Sequence, residues 1–353
     1  MDNQNKPAVR VTIHEMARRL GLSVASVSYA LNGRPGVGQA TRERVLALAR
    51  ELDWHPSSSA RALSRSRTDT IGMVLRRDPE LLGNEPYYMH LLSGVESVLS
   101  EAGQSLMLRM VGRAQDSEVE GRDIDVYRRW SVERRVDGVI VLDRLIEDPR
   151  PALLQSLGMP FVMHGLRIDP DTGQRVIEDL VTDACLIVDH LSALGHTEIV
   201  AVTGPLALAH EVARRDAVAA ESVERGMRVM FVEGDYTRAG AERVVAERLP
   251  QWRRATAVIS SNDVMALGIQ RMLIDAGRAD MAMVSWDDSM LCEISVPSIT
   301  ALARHPEEQG RRTARLLLRA IESEPEQPEP AIPSTLIVRK TSAPACQEGS
   351  HAR

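Results

Sequence analysis

Between Thr12 and Leu52 apolar residues recur at helical spacing, whereas after Thr70 they gather into short continuous runs separated by amphipathic stretches. In the first region Ile13, Met16, Ala17 and Leu20 fall at i, i+3, i+4 and i+7. Thr12 precedes them with Glu15 three residues on, which predicts a helix opened by a capping box and stopped by Gly21. Ser23 is placed to cap a second helix with Val24 (in part), Val27, Ala30 and Leu31 inward. After the turn NGRPG a third helix is predicted over roughly 39–52, with Val45, Leu48, Ala49 and Leu52 inward, and Pro56 closes the unit. Two helices joined by a tight turn, with a third covering them, describe an all-α helix-turn-helix head.

The second region reads differently. Nine runs have the apolar, β-rich character of strands: 71–75, 105–111, 136–142, 160–165, 198–204, 227–233, 256–263, 281–288 and 335–340. Amphipathic segments over 88–102, 184–194, 211–225, 237–249, 264–277 and 307–321 alternate with most of them. Such alternation, with nearly continuous apolar strands, predicts parallel sheets covered on both faces. Nine strands over this length predict two doubly wound lobes rather than one. ESEPEQPEP (322–330) reads as a solvated loop before the final strand.

At 353 residues the chain is too long for one core, in agreement with a head and a two-lobed body. No run approaches the eighteen or so apolar residues of a membrane span, and MDNQNKPAVR lacks the apolar stretch of an export signal. Cys185, Cys292 and Cys346 are far apart and form no CxxC pair, which suits reduced thiols in a cytoplasm. The net charge of −6 conceals a segregation: residues 1–67 hold eleven Lys or Arg against five Asp or Glu, leaving 32 against 44 for the rest. A +6 head on a −12 body is the footprint of a nucleic-acid-binding module joined to a domain with another task.

The second helix strengthens that reading. Ser23, Ser26, Ser28 and Asn32 put short hydrogen-bonding groups around its start and outer side, while Val24, Ala25 and Tyr29 lie toward its leading edge. Hydroxyls and helix N-terminal amides contact phosphates, and leading residues reach base edges in the major groove. A merely small and polar outer face is the plain alternative, and the charge segregation argues against it. No catalytic constellation accompanies these features. HEMAR (14–18) and HEVAR (210–214) have Arg where HExxH needs its second His, the only lysines are Lys6 and Lys340, and neither a G-x-S-x-G elbow nor a GxGxxG turn follows a strand. Neither an enzyme, nor a cofactor, nor a metal site is expected.

In open parallel sheets ligands bind beyond the carboxyl ends of the strands. Those ends carry Arg76, Arg77, Asp143, His164, Asn262, Asp263, Asp287 and Asp288, the planar polar groups that suit a sugar. Each has a structural alternative: an Asp at a strand end caps turns, His164 can be a bonded loop histidine, and Arg214 can pair with Asp216 or Glu211.

VTIHEMARRLGLSVASVSYALNGRPGV and TRERVLALARELDWHP closely resemble the DNA-binding head of the lactose/galactose-repressor (LacI/GalR) family of bacterial transcription regulators. The likeness continues through ARALSRSRTDTIGMVL, LGH, VTGP, SNDVMALG, SWDD and LIVRK, nearly the whole chain. It implies a head (1–56), a hinge (57–68) and a periplasmic-binding-protein-like core (69–345) before a tail (346–353). Lobe 1 would comprise about 69–175 and 304–333, and lobe 2 about 176–303 and 334–345. It implies further that Val24, Ala25 and Tyr29 read bases and that Ser26, Ser28 and Asn32 contact phosphates, with Thr12 and Ser23 counted among the DNA contacts. Tyr29 stands where the family often has Arg, so no strong guanine contact is expected there. In the hinge, Ala60 and Leu63 share one face; the resemblance implies that paired hinges order on DNA with Leu63 as a minor-groove wedge, and a basic linker in the free protein.

The same resemblance implies effector contacts from Tyr88, Arg214, Asn262 and Asp287, with His164 and Arg304 as lesser candidates. The expected partners are palindromic double-stranded operator DNA, a small molecule of the sugar class and a second copy of the chain. The absence of a heptad repeat after the last strand favours a dimer. The expected function is effector-gated repression in a bacterial cytoplasm. A solute-binding protein, or a regulator whose core senses nothing, stays open as an alternative.

Overall fold

The computed structural model describes residues 11–54, 67–77, 83–112, 121–168, 175–177, 180–325, 327–328 and 330–342; most of the hinge, with Ala60 and Leu63, lies outside them, as does the tail. The chain divides into two compact units between Thr68 and Asp69. In the head, α1 (Ile13–Leu20), α2 (Val24–Leu31) and α3 (Gln39–Glu51) enclose a core of Met16, Ala17, Val27, Ala30, Val45 and Ala49. Gly21 stops α1 in the left-handed region at φ 65°, and the Leu22 amide donates back to the Ala17 carbonyl at 3.0 Å. One detail departs from expectation. Thr12 caps α1 by accepting from the Glu15 amide, yet the Glu15 carboxylate does not reach back to Thr12. It binds Arg18 at 2.6 Å and Arg19 at 2.9 Å, because two guanidiniums one turn on offer stronger, charge-assisted bonds than a backbone N–H.

The second unit contains two sheets. The first runs β2-β1-β3-β4 and is parallel throughout, from β1 (Thr70–Leu75), β2 (Ser105–Met110), β3 (Gly138–Val141) and β4 (Phe161–Met163). Helix α4 (Pro86–Glu101) covers one face, burying Leu91, Val95 and Leu99 against Ile71, Met73 and Leu75. The other face carries α5 (Arg122–Val132) and α6 (Arg150–Ser156), where Tyr127, Trp130 and Leu154 meet Val74, Val139 and Val141. These two helices escape a reading by periodicity: α5 is largely charged, and only Asp123, Val126, Tyr127 and Trp130 face inward.

A short antiparallel pair, β5 (Leu166–Ile168) with β6 (Arg175–Ile177), leads out of this lobe. The second sheet follows in the order β12-β11-β10-β9-β7-β8. Its elements are α7 (Leu180–Ala193), β7 (Glu198–Thr203), α8 (Ala209–Glu224), β8 (Arg228–Glu233), α9 (Arg238–Arg248), β9 (Ala257–Ser260), α10 (Asp263–Asp275), β10 (Ala282–Ser285), α11 (Met290–Ile294) and β11 (Thr300–Ala303). Helices α7 and α8 cover one face and α9 and α10 the other. The edge strand β12 (Thr335–Ile337) pairs antiparallel with β11, at the margin of a sheet that is otherwise parallel as expected. Twelve strands stand among the described residues where nine were read. The missed β5, β6 and β11 are only three or four residues long, and the short Thr-Ala-Leu-Ala of β11 lacks β-branched or aromatic residues beyond its Thr.

Between β11 and β12 the chain returns to the first lobe as α12 (Pro306–Ile321), packed on α4. Backbones touch there. A Cβ on Gly94 would lie 1.9 Å from the Glu307 carbonyl oxygen, and one on Gly310 would lie 2.2 Å from that of Leu91. Two glycines therefore set the helix spacing and fix the start of α12, with Arg304 and Gln309, beside the ends of both sheets.

Candidate functional site

Two surfaces answer to the sequence reading. On α2, the Ser23 hydroxyl accepts the Ser26 amide at 3.0 Å and bonds the Ser26 hydroxyl at 2.8 Å. At the other end the Asn32 amide donates to the Ser28 carbonyl at 2.9 Å. Ala25 and Tyr29, one turn apart, face outward, and Tyr29 is 41% exposed. Val24 packs in part on the head core.

The other surface is a cleft at the carboxyl ends of both sheets. All six expected effector residues, Tyr88, His164, Arg214, Asn262, Asp287 and Arg304, line one cavity with about 930 Å³ of space, solvent at its open side included. Three arginines organise it, Arg214 and Arg304 in its wall and Arg77 just behind. Arg77, after β1, lies 2.9 Å from Asp143 and 3.2 Å from Glu85, and donates to the Tyr88 hydroxyl at 2.9 Å. The Tyr88 hydroxyl in turn donates to Asp143 at 2.6 Å. Arg214 is only 6% exposed. It donates to Glu211 at 2.8 Å, reaches Ser261 at 3.3 Å and stands 5.0 Å over the Trp286 ring. Its Nε has no hydrogen-bond partner among the described residues. Arg304, after β11, binds Asp287 at 2.9 Å and Asp183 at 3.6 Å beneath the Tyr87 ring.

Burial would raise the Glu211 carboxyl, but Arg214, His210, the Ser261 hydroxyl and the Gly204 amide outweigh it and hold it below the usual range. Burial likewise opposes ionisation of Asp143, and Arg77, His210 and Tyr88 override it. Asp143 occupies the left-handed region at φ 49°. The fully buried Arg150 holds that turn, donating to the carbonyls of Leu142 at 2.9 Å and Asp143 at 2.7 Å.

His164 is bonded on both ring nitrogens, to Tyr87 at 3.1 Å and Thr313 at 3.0 Å. Burial, then Arg304 and Arg312, depress it to about 3, so it is neutral at physiological pH. The Asn262 side chain caps α10 through the Met265 amide at 2.8 Å and donates to the Tyr236 carbonyl at 3.2 Å. Of the other strand-end candidates, Arg76 pairs with Asp123 at 2.6 Å and Asp288 with Arg339 at 2.7 Å. Neither lines the cavity. Arg214 does pair with Glu211, as the plain alternative held, but within the cleft wall and not on a helix surface.

Sequence reasoning passed over Tyr87, Tyr236, Gln309 and His210, which line the same cavity. His210 bonds the Tyr236 hydroxyl at 2.8 Å, and burial lowers it to about 4. It stands one helical turn before Arg214, a spacing that could have identified it. Tyr236 follows β8, a strand end left unread. The lobes also meet through backbone. Leu145 bridges Leu208, the Ile146 amide donates to the Ala207 carbonyl at 3.2 Å, and the Ala209 amide donates to the Arg144 carbonyl at 2.9 Å. Ala209 opens α8, so one of the amides a helix start leaves unpaired is satisfied from the opposite lobe. Leu145 packs against the core of lobe 2.

A basic helix-turn-helix unit and a two-lobed binding core define a DNA-binding transcription regulator with an effector-binding core. Comparisons agree on the family. Residues 12–57 match the model for bacterial regulatory proteins of the lacI family, and residues 188–342 match that for the periplasmic binding protein-like domain. The HTH-type transcriptional regulator CelR of Thermobifida fusca is 31% identical over 342 residues, which cover 94% of this chain and 98% of that protein. A LacI family transcriptional regulator from Bifidobacterium animalis subsp. lactis superposes with a TM-score of 0.68 at 31% identity, over 79% of this chain and all of that one. A CelR–cellobiose complex does so with a TM-score of 0.67 at 27% identity, over 94% of this chain and all of that one. The chain belongs to the LacI family, whose members are transcription regulators and not enzymes.

Proposed function

We propose that this chain represses transcription as a homodimer on a palindromic operator in a bacterial cytoplasm, and that an uncharged sugar held between the lobes gates it. Tyr88, His164, Arg214, Asn262, Asp287 and Arg304 are its sugar contacts; Thr12, Ser23, Ser26, Ser28 and Asn32 meet phosphates, and Val24, Ala25 and Tyr29 meet bases. One observation carries the sensor reading. Residues drawn from Tyr88 to Arg304 along the chain border a single cleft, with planar hydrogen-bonding groups beside aromatic rings.

Charge selects the ligand class. Arg77, Arg144, Arg214 and Arg304 stand in or just behind the wall against Glu85, Asp143, Asp183, Glu211 and Asp287. The arginines are outnumbered, so a phosphate or carboxylate has no surplus cation to meet, whereas sugar hydroxyls can donate to the carboxylates. CelR, with cellobiose in its solved complex, makes that β-linked disaccharide the first probe.

The dimer reading rests on apolar exposure along one edge of lobe 2. Met290, Ile294 and Val296 are open to solvent, Val296 at 85%. Ile274 lies one turn beyond Gln270, which bonds the Pro297 carbonyl at 2.6 Å. Sedimentation of Ile294→Asp at micromolar concentration is expected to give monomer where the parent gives dimer.

The sensor is tested by thermal stabilisation against cellobiose, glucose, ribose, ribose 5-phosphate and hypoxanthine. A ligand at a hundredfold its Kd stabilises by about 2.7 kcal/mol, a shift of several degrees. A neutral sugar is expected to give it. A shift from the phosphate alone would overturn the charge argument, and a shift from the uncharged purine alone would overturn the sugar reading.

A further inference from the structure

We infer that α2 reads operator sequence through thymine methyl groups and carries no bidentate base contact; the inference rests on the proposed reading of α2 as the helix that enters the major groove. The outward pair, Ala25 and Tyr29, offers a methyl group and a phenol. The polar side chains that flank the pair stand at the two ends of the helix and bond within it, which leaves them for phosphates and not for base edges. Ser23 and Ser26 bond each other at the N-terminus, and the Asn32 amide nitrogen bonds the Ser28 carbonyl and hydroxyl at the C-terminus. Two-point recognition in the major groove needs a fork: a guanidinium for guanine, or a carboxamide for adenine. The carboxamide of Asn32 stands at the C-cap, away from the leading edge, and gives an N–H to the Ser28 carbonyl, while the phenol offers a single oxygen.

The Tyr29 ring also stands beside the turn that follows the helix. A Cβ on Gly36 would lie 3.6 Å from the ring, and Gly36 adopts φ 107°, which side-chain-bearing residues rarely take. The turn is tied back by the Arg34 amide, which donates to the Tyr29 carbonyl at 3.0 Å. An exposed aromatic ring beside an exposed methyl matches the one apolar feature of the major groove, the C5-methyl of thymine. Burying one such methyl changes affinity about fourfold. The inference therefore gives each half-site one or two thymines under α2, with specificity assembled from several small steps.

The test alters the DNA and leaves the protein intact. Genomic fragments are enriched on the full-length protein, the tightest is footprinted, and each thymine is replaced in turn by deoxyuridine, which removes only the methyl. A loss of about threefold to fivefold is expected at one or two positions per half-site within the α2 footprint, and none outside it. Tyr29→Phe is expected to keep this sensitivity, and Tyr29→Leu to weaken it at one position. Tyr29→Arg should exchange it for dependence on guanine N7, read with 7-deazaguanine. Specific binding that ignores every uracil but falls tenfold or more with 7-deazaguanine in the parent would overturn the inference while leaving α2 as the recognition helix. Failure to enrich any fragment would overturn the parent reading, and this inference with it.

Discussion

On α2 the polar side chains bond within a single helix, and what they leave outward is small and uncharged. In the cleft the polar side chains bond across elements: Arg304 joins the ends of β11 and β10 to α7, and Arg77 joins the ends of β1 and β3 to α4. The head carries a net charge of +6 over residues 1–67 and so favours a polyanion. The cleft brings its own counterions. One surface should therefore answer to salt and the other to the loss of a single internal partner.

The largest effect separates them directly. Docking on phosphates releases condensed counterions, so operator affinity is expected to fall at least about a thousandfold between 50 and 200 mM salt. Effector affinity over that range should change less than about twofold, because pairs buried in the cleft are little screened. Parallel titrations by fluorescence anisotropy and calorimetry check both arms. A flat operator response would remove phosphate docking, and a steep effector response would mean that the cleft arginines are not internally matched.

Next in size is the consequence of breaking one cleft pair. Arg214→Ala removes the donor that Glu211 meets at 2.8 Å and leaves a carboxylate 1% exposed without its cation. Removing one partner of such a pair costs about 3–5 kcal/mol of stability. Effector affinity is expected to fall about a hundredfold or more. Arg214→Ala with Glu211→Gln should recover much of the melting temperature but none of the affinity, and should bind operator within about twofold of the parent. Recovery of effector affinity in the double variant would reduce Arg214 to a structural residue.

The contrast also explains what could be read from the chain alone. The head was legible because its determinants are local: Thr12, Gly21 and Ser23 each act within four residues, and the stripe from Ile13 to Leu20 needs no distant partner. The apolar runs that became β1, β3, β7 and β10 were legible because burial on both faces leaves no polar alternation to misread. The cleft was legible only in part. Strand ends located Asp287 and Asn262, but Tyr236, Gln309 and Glu85 reach it from loops and a returning helix whose positions depend on how two sheets and three chain crossings assemble. The partners of Arg214 and Arg304 were hidden for the same reason. Spacing offered Glu211 to Arg214 only as one surface option, and nothing in the sequence tied Arg304 to Asp183, 121 positions earlier.

A smaller effect tests the join between lobes. Leu145 lies against the core of lobe 2, and its neighbours pair with the start of α8. This contact between the lobes buries an apolar side chain and satisfies an amide of the helix that carries His210 and Arg214. Leu145→Ser removes the apolar part, about 1–2 kcal/mol, and should weaken effector binding about tenfold by taxing the closed state. The unliganded core should scatter X-rays as a more extended particle. An unchanged Kd would make the bridge incidental to closure.

The smallest effect concerns a carboxyl that the cleft does not match. Asp263 is 2% exposed; one oxygen accepts the Val264 amide at 2.8 Å, and the Ser289 hydroxyl is its other polar neighbour. Burial, then the neighbouring Asp287, raise it to about 7. An acid raised in the fold holds a proton that the unfolded chain has lost above about pH 4, so its ionisation weakens the fold progressively as pH rises from about 4 to 7. His164 and His210, lowered to about 3 and 4, act in the opposite sense, their contribution shrinking as pH falls below about 6.5. Asp263→Asn keeps the acceptor for Val264 and removes only the acid. Its melting temperature should match the parent's near pH 4, pull ahead as pH rises, and level off above pH 7 at an advantage of a few degrees. The histidine-driven loss below pH 6.5 should persist unchanged in the variant. An advantage that ignores pH would mean that Asp263 is already ionised and partnered, and the cleft would then be matched throughout.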